Sequence, residues 1–345
     1  MAFRWLIGAL FALAAVAPVR AFTPESGFYW NPAEPGAGYN IEIQDNFFAL
    51  TAYVFAADGR PQWYTATGLM TGNARFTGNL DGFTNGQCIG CPFRAPTPQL
   101  RAGGPIALEF TSETRANLTL GTRTFVIERF DFYLTRSAGD PKTEMMLGEW
   151  ATLIDLYDRS GAQYQDYPYT GDLLIFDTID RATTPDYFEG CRPTNSESGE
   201  CTASATDEHD AAGFYNATSG EHVIVVKDTP GTAFTDAIFF AYYVDVGTYQ
   251  FDGVVEVYDE DETPGNGPFY PVRGFRTASR NFVQNGTGPS ADEKAQVSAP
   301  RGLAGSLASR PPSIGLSLEE VRARYGFDPA ALAPAATALT KSLGR

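Results

Sequence analysis

The sequence is short of histidine and of basic residues. It contains two histidines, and its 25 Lys and Arg residues stand against 41 Asp and Glu residues, which gives a formal net charge of −16. A chain this acidic repels phosphate backbones and anionic lipid surfaces, so nucleic-acid binding and a polybasic membrane anchor are disfavoured. The H-E-x-x-H spacing of a catalytic zinc site is absent as well. We therefore predict no nucleic-acid partner, no metal and no other cofactor.

Motifs of common catalytic centres are also missing. There is no G-x-S-x-G elbow and no Gly-rich phosphate loop that opens a helix, and a serine or cysteine nucleophile would have no identifiable base. Glu256 and Glu260 would share one strand face if the strand extends that far, and such a pair could cleave glycosides. We assign no catalytic residue. The alternative to a non-enzymatic binding or structural role is an envelope glycan hydrolase that uses carboxylates of the second predicted module, residues 145–282.

The first 21 residues have the layout of a secretory signal peptide. Arg4 supplies a basic start, Trp5 to Ala17 is an apolar run, and Val19-Arg20-Ala21 offers small residues at the cleavage positions. The run is too short to span a bilayer, and no later segment approaches the roughly 18 apolar residues of a spanning helix. We expect an exported protein, periplasmic or extracellular, with no membrane span.

The four cysteines are expected to form two disulfides in an oxidising compartment. Sequence proximity favours Cys88–Cys91 and Cys191–Cys201. The Cys88-x-x-Cys91 spacing also occurs in thiol-exchange and zinc sites, which remain alternatives. Because Pro92 follows and no helical pattern adjoins, we interpret this pair as a structural loop clip.

Composition and periodicity predict an all-β protein. The 35 glycines, 23 prolines and 13% aromatic residues suit short strands joined by tight turns. Tyr39 to Gln44 alternates between apolar and polar, and Phe47 to Phe55 is apolar on both faces, which is typical of a more deeply covered strand. Asp58-Gly59 then favours a hairpin turn. Seven or eight such strands form an antiparallel meander that closes into a small barrel or a sandwich.

A second all-β meander follows the first. We predict the modules at residues 22–136 and 145–282, because residues 137–141 are turn-forming and interrupt the strand pattern. A long polar insertion separates the first strand-like runs of the second module, Asp172 to Asp177 and His222 to Lys227.

The composition changes again after the second module. Residues 283–313 are rich in Gly, Ser, Ala and Pro and predict a flexible linker. Residues 314–345 predict a short helical tail, in which Ser317 and Glu320 form a capping box and Asp328-Pro329 starts a helix that Pro334 kinks or delays. Since the tail has few large apolar residues, we expect it to dock weakly or to become ordered against a partner.

The segment from Gly27 to Asn40 resembles the N-terminal marker of an uncharacterised family of exported proteobacterial proteins, W-x-x-P-x-E-x-G-x-G. Here one residue, not two, separates Trp from Pro, and the following Glu and glycines keep the spacing. Later segments are similar to further markers of this family: Asp58 to Tyr64, Gly86 to Pro92, Leu147 to Trp150 and Gly274 to Arg276. The resemblance implies an exported β-rich protein over residues 25–280 and brings no catalytic residues.

Gly148-Glu149-Trp150 is similar to the G-x-W that opens lipocalins and avidin-like barrels. In those proteins the indole closes one barrel end, and in some an Arg of the last strand stacks on it. The resemblance implies a Trp150–Arg276 pair. In the first module the spacing from Gly27 to Trp has one extra residue, and we place the corresponding pair at Trp30 and Arg129. The alternative is that both Trp residues are ordinary core aromatics.

Five aromatic residues are the candidate ligand-binding residues, since they fall close together in sequence around two strand ends: Tyr29, Trp30, Tyr39, Trp63 and Tyr64. Tyr and Trp offer rigid faces with a polar group, which suit stacking on sugars or holding a small apolar ligand in a barrel mouth. The alternative is the aromatic core of a barrel.

We therefore predict an exported, non-enzymatic binding protein or envelope-associated structural protein. Its ligand is a glycan or a small apolar molecule, and the sequence indicates no oligomeric state. The acidic runs at 207–210, with His209, and 259–262 are interpreted as solvated loops rather than metal sites.

Overall fold

A computed structural model describes residues 22–72, 74–135, 139–155, 169–192, 210–228, 238–285 and 315–343. In this part of the chain the protein forms two closed antiparallel barrels of eight strands each. The predicted tandem all-β architecture is confirmed, and both modules are barrels. The predicted signal peptide and most of the predicted linker lie outside the described residues.

The first barrel is a meander in which each strand pairs with the next. Its strands are β1 (Gly27–Trp30), β2 (Gly38–Gln44), β3 (Phe47–Phe55), β4 (Pro61–Leu69), β5 (Arg75–Thr84), β6 (Thr97–Phe110), β7 (Arg115–Leu120) and β8 (Arg123–Arg129). Strand β1 closes the barrel on β8. Side chains fill the interior, where the rings of Phe48 and Phe76 stack with centroids 4.3 Å apart. The hairpin at Asp58-Gly59 is present, and of these two residues only Gly59 has a positive φ, 82°.

The second barrel repeats this topology. Its strands are β9 (Gly148–Asp155), β10 (Tyr169–Asp180), β11 (Tyr187–Cys191), β12 (Ala211–Tyr215), β13 (His222–Asp228), β14 (Ile238–Val246), β15 (Gln250–Asp259) and β16 (Phe269–Ser279). Strand β9 pairs with both β10 and β16 and so closes the barrel. The sequence did not predict β11 and β12, because each has only five residues and both lie inside the predicted polar insertion.

A 3-10 helix (Phe132–Leu134) and four α-helices complete the described chain: α1 (Pro141–Glu144), α2 (Arg280–Asn285), α3 (Leu318–Tyr325) and α4 (Pro329–Leu343). The predicted capping box of α3 is confirmed, since the Ser317 hydroxyl accepts from the Glu320 N–H and the Glu320 carboxylate accepts from the Ser317 N–H. Helix α4 continues through Pro334. None of the helices in the described chain is long and apolar enough to cross a membrane.

Helices α3 and α4 cover the outer wall of the second barrel. Leu332, Ala336 and Leu339 lie on one face of α4 and join a buried cluster with Val225 and Tyr243 of the barrel. The Tyr258 hydroxyl also lies 2.6 Å from the Thr340 hydroxyl. Full burial of each leucine contributes about 2 kcal/mol. The tail is therefore a packed second layer on the barrel.

Among the described residues, no such layer covers the outer wall of the first barrel over β3 and β4. Phe47, Tyr53 and Phe55 of β3 and Trp63 and Leu69 of β4 are each about half exposed or more. The deeper covering predicted for Phe47–Phe55 is therefore wrong: the inward residues of β3 are buried, but its outward apolar residues face solvent.

Candidate functional site

Three of the five predicted ligand-binding aromatics lie in the core of the first barrel. Tyr29 pairs with Tyr39, and Tyr39 and Tyr64 both pair with Ala52, so the three tyrosines occupy one inward row across β1 to β4. Tyr29 and Tyr39 are buried, and Tyr64 is half-buried against the core. These three tyrosines therefore belong to the aromatic core of the barrel, which was the alternative to ligand binding, because side chains fill the interior around their rings.

The two predicted tryptophans of this barrel point outward but do not form one site. Trp30 is half-buried and packs on Phe130, with ring centroids 5.1 Å apart. Trp63 lies on β4 with 46% of its surface exposed. Of the predicted set, Trp63 is the residue that presents a broad open face.

Trp63 belongs to a row of four outward aromatics, Phe28, Tyr53, Trp63 and Phe83, which we call the aromatic row. Tyr53 and Trp63 are register partners on β3 and β4. The Trp63 and Phe83 rings are nearly parallel, at 13°, with centroids 5.0 Å apart, and Phe28 stacks on Tyr53 at 6.5 Å. The Phe28 ring lies over Gly38 of β2, where a Cβ would overlap it. The row therefore runs across β1 to β5 without a gap.

A shallow depression of about 200 Å³ lies beside the aromatic row. Tyr53, Phe55 and Trp63 form its aromatic wall, and Gln62 adds an amide. None of the described residues that line it carries a charge. Rigid aromatic faces with a few neutral polar groups can stack on the apolar face of a sugar ring and hydrogen-bond its hydroxyls.

Sequence reasoning missed three members of the aromatic row. The predicted set lacks Tyr53 and Phe83 because distance along the chain does not show which residues are cross-strand neighbours, and it lacks Phe28 because a phenyl ring has no polar group. The Asp58-Gly59 hairpin was a usable signal, since it brings the residues on either side of it together as cross-strand neighbours, and Tyr53 and Trp63 form such a pair.

The predicted Trp150–Arg276 pair is present in the second barrel. The Arg276 guanidinium carbon lies 4.1 Å from the centroid of the buried Trp150 ring. The guanidinium also donates to the carbonyls of Met145, Leu147 (2.5 Å) and Thr248 (2.6 Å). This arginine ties three chain segments together at one end of the barrel.

The predicted Trp30–Arg129 pair is wrong by one residue. Arg129 of β8 pairs with Tyr29 of β1, just as Arg276 of β16 pairs with Trp150 of β9. The guanidinium stacks instead on Tyr249 of the second barrel, at 5.1 Å. The relevant spacing is therefore Gly27-x-Tyr29, and Trp30 is an outward residue.

Known proteins add nothing to this geometry. The chain matches no family model, no curated protein and no solved structure. The resemblances to the W-x-x-P family and to G-x-W barrels stay predictions.

Glu25, in the segment before β1, binds the first barrel to the second. Its carboxylate accepts from the backbone N–H groups of Thr248 (3.1 Å), Tyr249 (2.8 Å) and Gln250 (3.2 Å) at the β14–β15 turn. Arg129 lies 3.3 Å from the same carboxylate. Burial raises the pKa of Glu25, while the Tyr249 N–H and Arg129 act against that rise. The group is a structural anchor between the barrels.

Glu256 and Glu260, the carboxylates of the alternative hydrolase, do not converge. Strand β15 ends at Asp259, so Glu260 lies in the exposed turn that follows. Glu256 is buried and accepts from the Tyr243 hydroxyl (2.6 Å) and from the Gly265 and Gly267 N–H groups. The condition for a shared strand face is not met, and Glu256 holds a loop in place.

The disulfide predictions differ in outcome. Cys88 and Cys91 form a disulfide in the β5–β6 connection, outside any helix. Cys191 is buried at the end of β11, and Cys201 lies outside the described residues, so their pairing stays a prediction.

Most of the acidic run at 207–210 lies outside the described residues, whereas the run at 259–262 is described. His209 lies outside the described residues, and His222 is buried with its Nε2 2.8 Å from the Lys142 carbonyl oxygen. In the described part of the chain, no group of three or more Asp, Glu, His or Cys side chains is placed to hold a metal ion.

Proposed function

We propose that the protein is an exported, non-enzymatic glycan-binding protein whose binding surface is the aromatic row of the first barrel. The observation that carries this proposal is the exposure of Tyr53 (50%), Phe55 (59%) and Trp63 (46%) around one uncharged depression. Exposed apolar clusters of this kind mark interaction surfaces in soluble proteins.

The depression favours a glycan over a small apolar molecule. It is shallow and open, so an apolar ligand would keep much of its surface in water, whereas a sugar needs one stacked face and leaves its hydroxyls solvated. The filled barrel interior, with Tyr29 and Tyr39 buried, gives an apolar ligand no place in the barrel mouth.

The leader sequence and the cysteines support export. Residues 1–21 have the signal layout, and the disulfide of Cys88 and Cys91 suits an oxidising compartment. Expression with the leader and mass spectrometry of the purified product test this, and a mature N-terminus at Phe22 is expected. Retention of the leader in a cytoplasmic product would contradict export.

The binding test uses an oligosaccharide array, followed by titration calorimetry with chitotetraose and cellotetraose. We expect binding to at least one oligosaccharide class, and Trp63→Ala and Tyr53→Ala each to weaken it about tenfold or more. The matched control is Leu69→Ala, an exposed apolar residue on the same face of β4 at the opposite end of the strand. Absence of glycan binding, or equal binding by Trp63→Ala, would overturn the proposal.

A further inference from the structure

A cleft of about 770 Å³ lies between the two barrels. Its first-barrel wall includes Trp30 and Phe130, and its second-barrel wall includes Tyr215, Glu221 and Asp245. Among the described residues it shares no lining side chain with the depression beside the aromatic row. Its volume is within the range of small-molecule sites, and a domain interface is a common place for one.

A much smaller cavity, of about 20 Å³, adjoins this cleft, and we call it the carboxylate cavity. Four acidic residues line it: Glu113, Glu221, Asp245 and Asp252. Two of them, Glu221 and Asp245, also line the cleft, so the cavity lies at its edge. Its volume suffices for one group of the size of a water molecule.

Glu113 is a buried acid that the fold leaves without a complete set of partners. Only 2% of its surface is exposed, and its Oε2 has no hydrogen-bond partner. Of the acids that line the cavity, Asp252 is paired with Arg273 at 2.8 Å, and none of the ion pairs between described residues includes Glu113. Leaving a buried polar atom unpaired costs about 1–3 kcal/mol, more for a charged group, so the site gains from a ligand that donates hydrogen bonds.

The titratable groups around Glu113 come from several elements and are mostly acidic. Asp245 and Asp252 face it from β14 and β15, Glu221 from the turn before β13, and Tyr325 from α3. Burial, and then the Asp245 charge, raise the pKa of Glu113 well above its ordinary value.

We propose that the cleft binds a primary alkylammonium group, whose –NH₃⁺ enters the carboxylate cavity and whose hydrocarbon stem lies along the cleft. An ammonium group has about the size of a water molecule and carries three donors, which match carboxylate oxygens. The rings of Trp30 and Tyr215 offer apolar contact for the stem. A metal ion fits less well, because no described set of three acidic, His or Cys ligands is placed to hold one. The acidic chain also attracts cations over long range.

Titration calorimetry of the full chain with n-butylammonium chloride at pH 7 tests the proposal, with n-butanol as the uncharged probe of similar shape. We expect the amine to bind and the alcohol not to bind. Glu113→Gln should weaken amine binding about tenfold or more, because the amide cannot form the ion pair. The matched control is Glu128→Gln, another cleft acid but one paired with Arg115 at 3.7 Å, and it should change binding less than about twofold.

A second readout reports on Glu113 directly. Because burial and the Asp245 charge favour the protonated carboxyl, whereas the ammonium group pairs with the carboxylate, amine binding should be linked to proton release, and the measured enthalpy should differ between phosphate and Tris buffers. Glu113→Gln should abolish that difference. If Glu113→Gln does not fold, Asp245→Asn replaces it, with the same expected loss of amine affinity.

Three outcomes would overturn the proposal: binding that Glu113→Gln and Glu128→Gln weaken equally, no amine binding at all, or stabilisation by CaCl₂ without any by the amine.

Two sources share the alkylammonium chemistry, namely free amines and the lysine side chains of a peptide. If a lysine-containing tetrapeptide binds more strongly than n-butylammonium, and Nε-acetylation of the lysine abolishes that binding, the ligand is a peptide. If n-butylammonium binds more strongly, the ligand is a free amine. Trp63→Ala should leave amine binding unchanged, so this test is independent of the glycan proposal.

Discussion

Tyr29 and Trp150 occupy the same position in their two barrels. Each lies two residues after a glycine with positive φ, 154° at Gly27 and 138° at Gly148. Each pairs in register with an arginine of the last strand, and each donates a side-chain hydrogen bond to the carbonyl four residues earlier, at 2.7 Å and 2.8 Å. The two modules are therefore one architectural unit used twice, with a phenol in one and an indole in the other.

Arg276, the register partner of Trp150, should be costly to replace even by lysine. Arg276→Lys keeps the positive charge, but a single ammonium group cannot reach the Met145 and Leu147 carbonyls on one segment and the Thr248 carbonyl on another, or lie flat on Trp150. We expect a loss of about 2–4 kcal/mol in the free energy of unfolding, measured by urea denaturation. Arg273→Lys, at a half-exposed arginine paired with Asp252, should lose less than about 1 kcal/mol. Equal losses for both variants would show that the hydrogen bonds and ring contact of the Arg276 guanidinium add nothing to the free energy of unfolding.

Glu25 should be essential for the association of the barrels. Glu25→Gln leaves one amide oxygen in place of a carboxylate that accepts three backbone N–H groups and faces Arg129. We expect a loss of about 2–3 kcal/mol in urea denaturation, together with faster proteolysis of residues 130–147 between the barrels. The control is Glu34→Gln, at an exposed ion pair with Arg123, with an expected change below about 0.5 kcal/mol. An unchanged proteolysis rate in Glu25→Gln would argue against the anchor.

His222 should make the protein sensitive to mild acid. Burial lowers its pKa to about 4, whereas an unfolded histidine titrates near 6.5. The unfolded chain therefore takes up this proton first as the pH falls, so the free energy of unfolding decreases between about pH 6.5 and 4, by about 3 kcal/mol at most.

The same pH range contains an opposing group. Burial raises the pKa of Asp252 to about 6, so the folded state takes up that proton first and gains stability as the pH falls. Comparing His222→Gln with the unmodified protein isolates the histidine: thermal melts should show a smaller decrease in Tm between pH 6.5 and 4 in the variant. Parallel pH profiles would contradict a neutral buried His222.

The α4 helix should contribute to the stability of the second barrel. Leu332→Ala and Leu339→Ala each remove a buried side chain from the outer cluster, and we expect each to cost about 2–4 kcal/mol. Lys341→Ala, at an exposed position of the same helix, should cost less than about 0.5 kcal/mol. If both leucine variants unfold at the same urea concentration as the unmodified protein, α4 does not pack on the second barrel in solution.

Local signals in the sequence predicted local structure well. The Ser317 capping box and the Asp58-Gly59 hairpin depend on residues a few positions apart, and both are present. The all-β class followed from two-residue alternation, which depends only on neighbouring residues. Strands β11 and β12 were missed because five-residue segments beside polar loops give too little alternation to detect.

Features that depend on register or on distant contacts could not be predicted. The aromatic row requires knowing which residues of β1, β3, β4 and β5 are neighbours, and the error of one residue at Trp30 reversed the face on which it lies. The Glu25 anchor joins residues 223 positions apart, and nothing in either segment indicates the other.

The position of α3 and α4 has a consequence for biosynthesis. Residues 316–343 cover the outer wall of the second barrel, and a ribosome makes them after every strand of that barrel. The nascent second barrel therefore presents an uncovered apolar wall until these residues emerge, while the first barrel can mature earlier. A chain that terminates before Leu316 would keep that wall exposed, and we expect it to be an aggregation-prone substrate for chaperones and proteases.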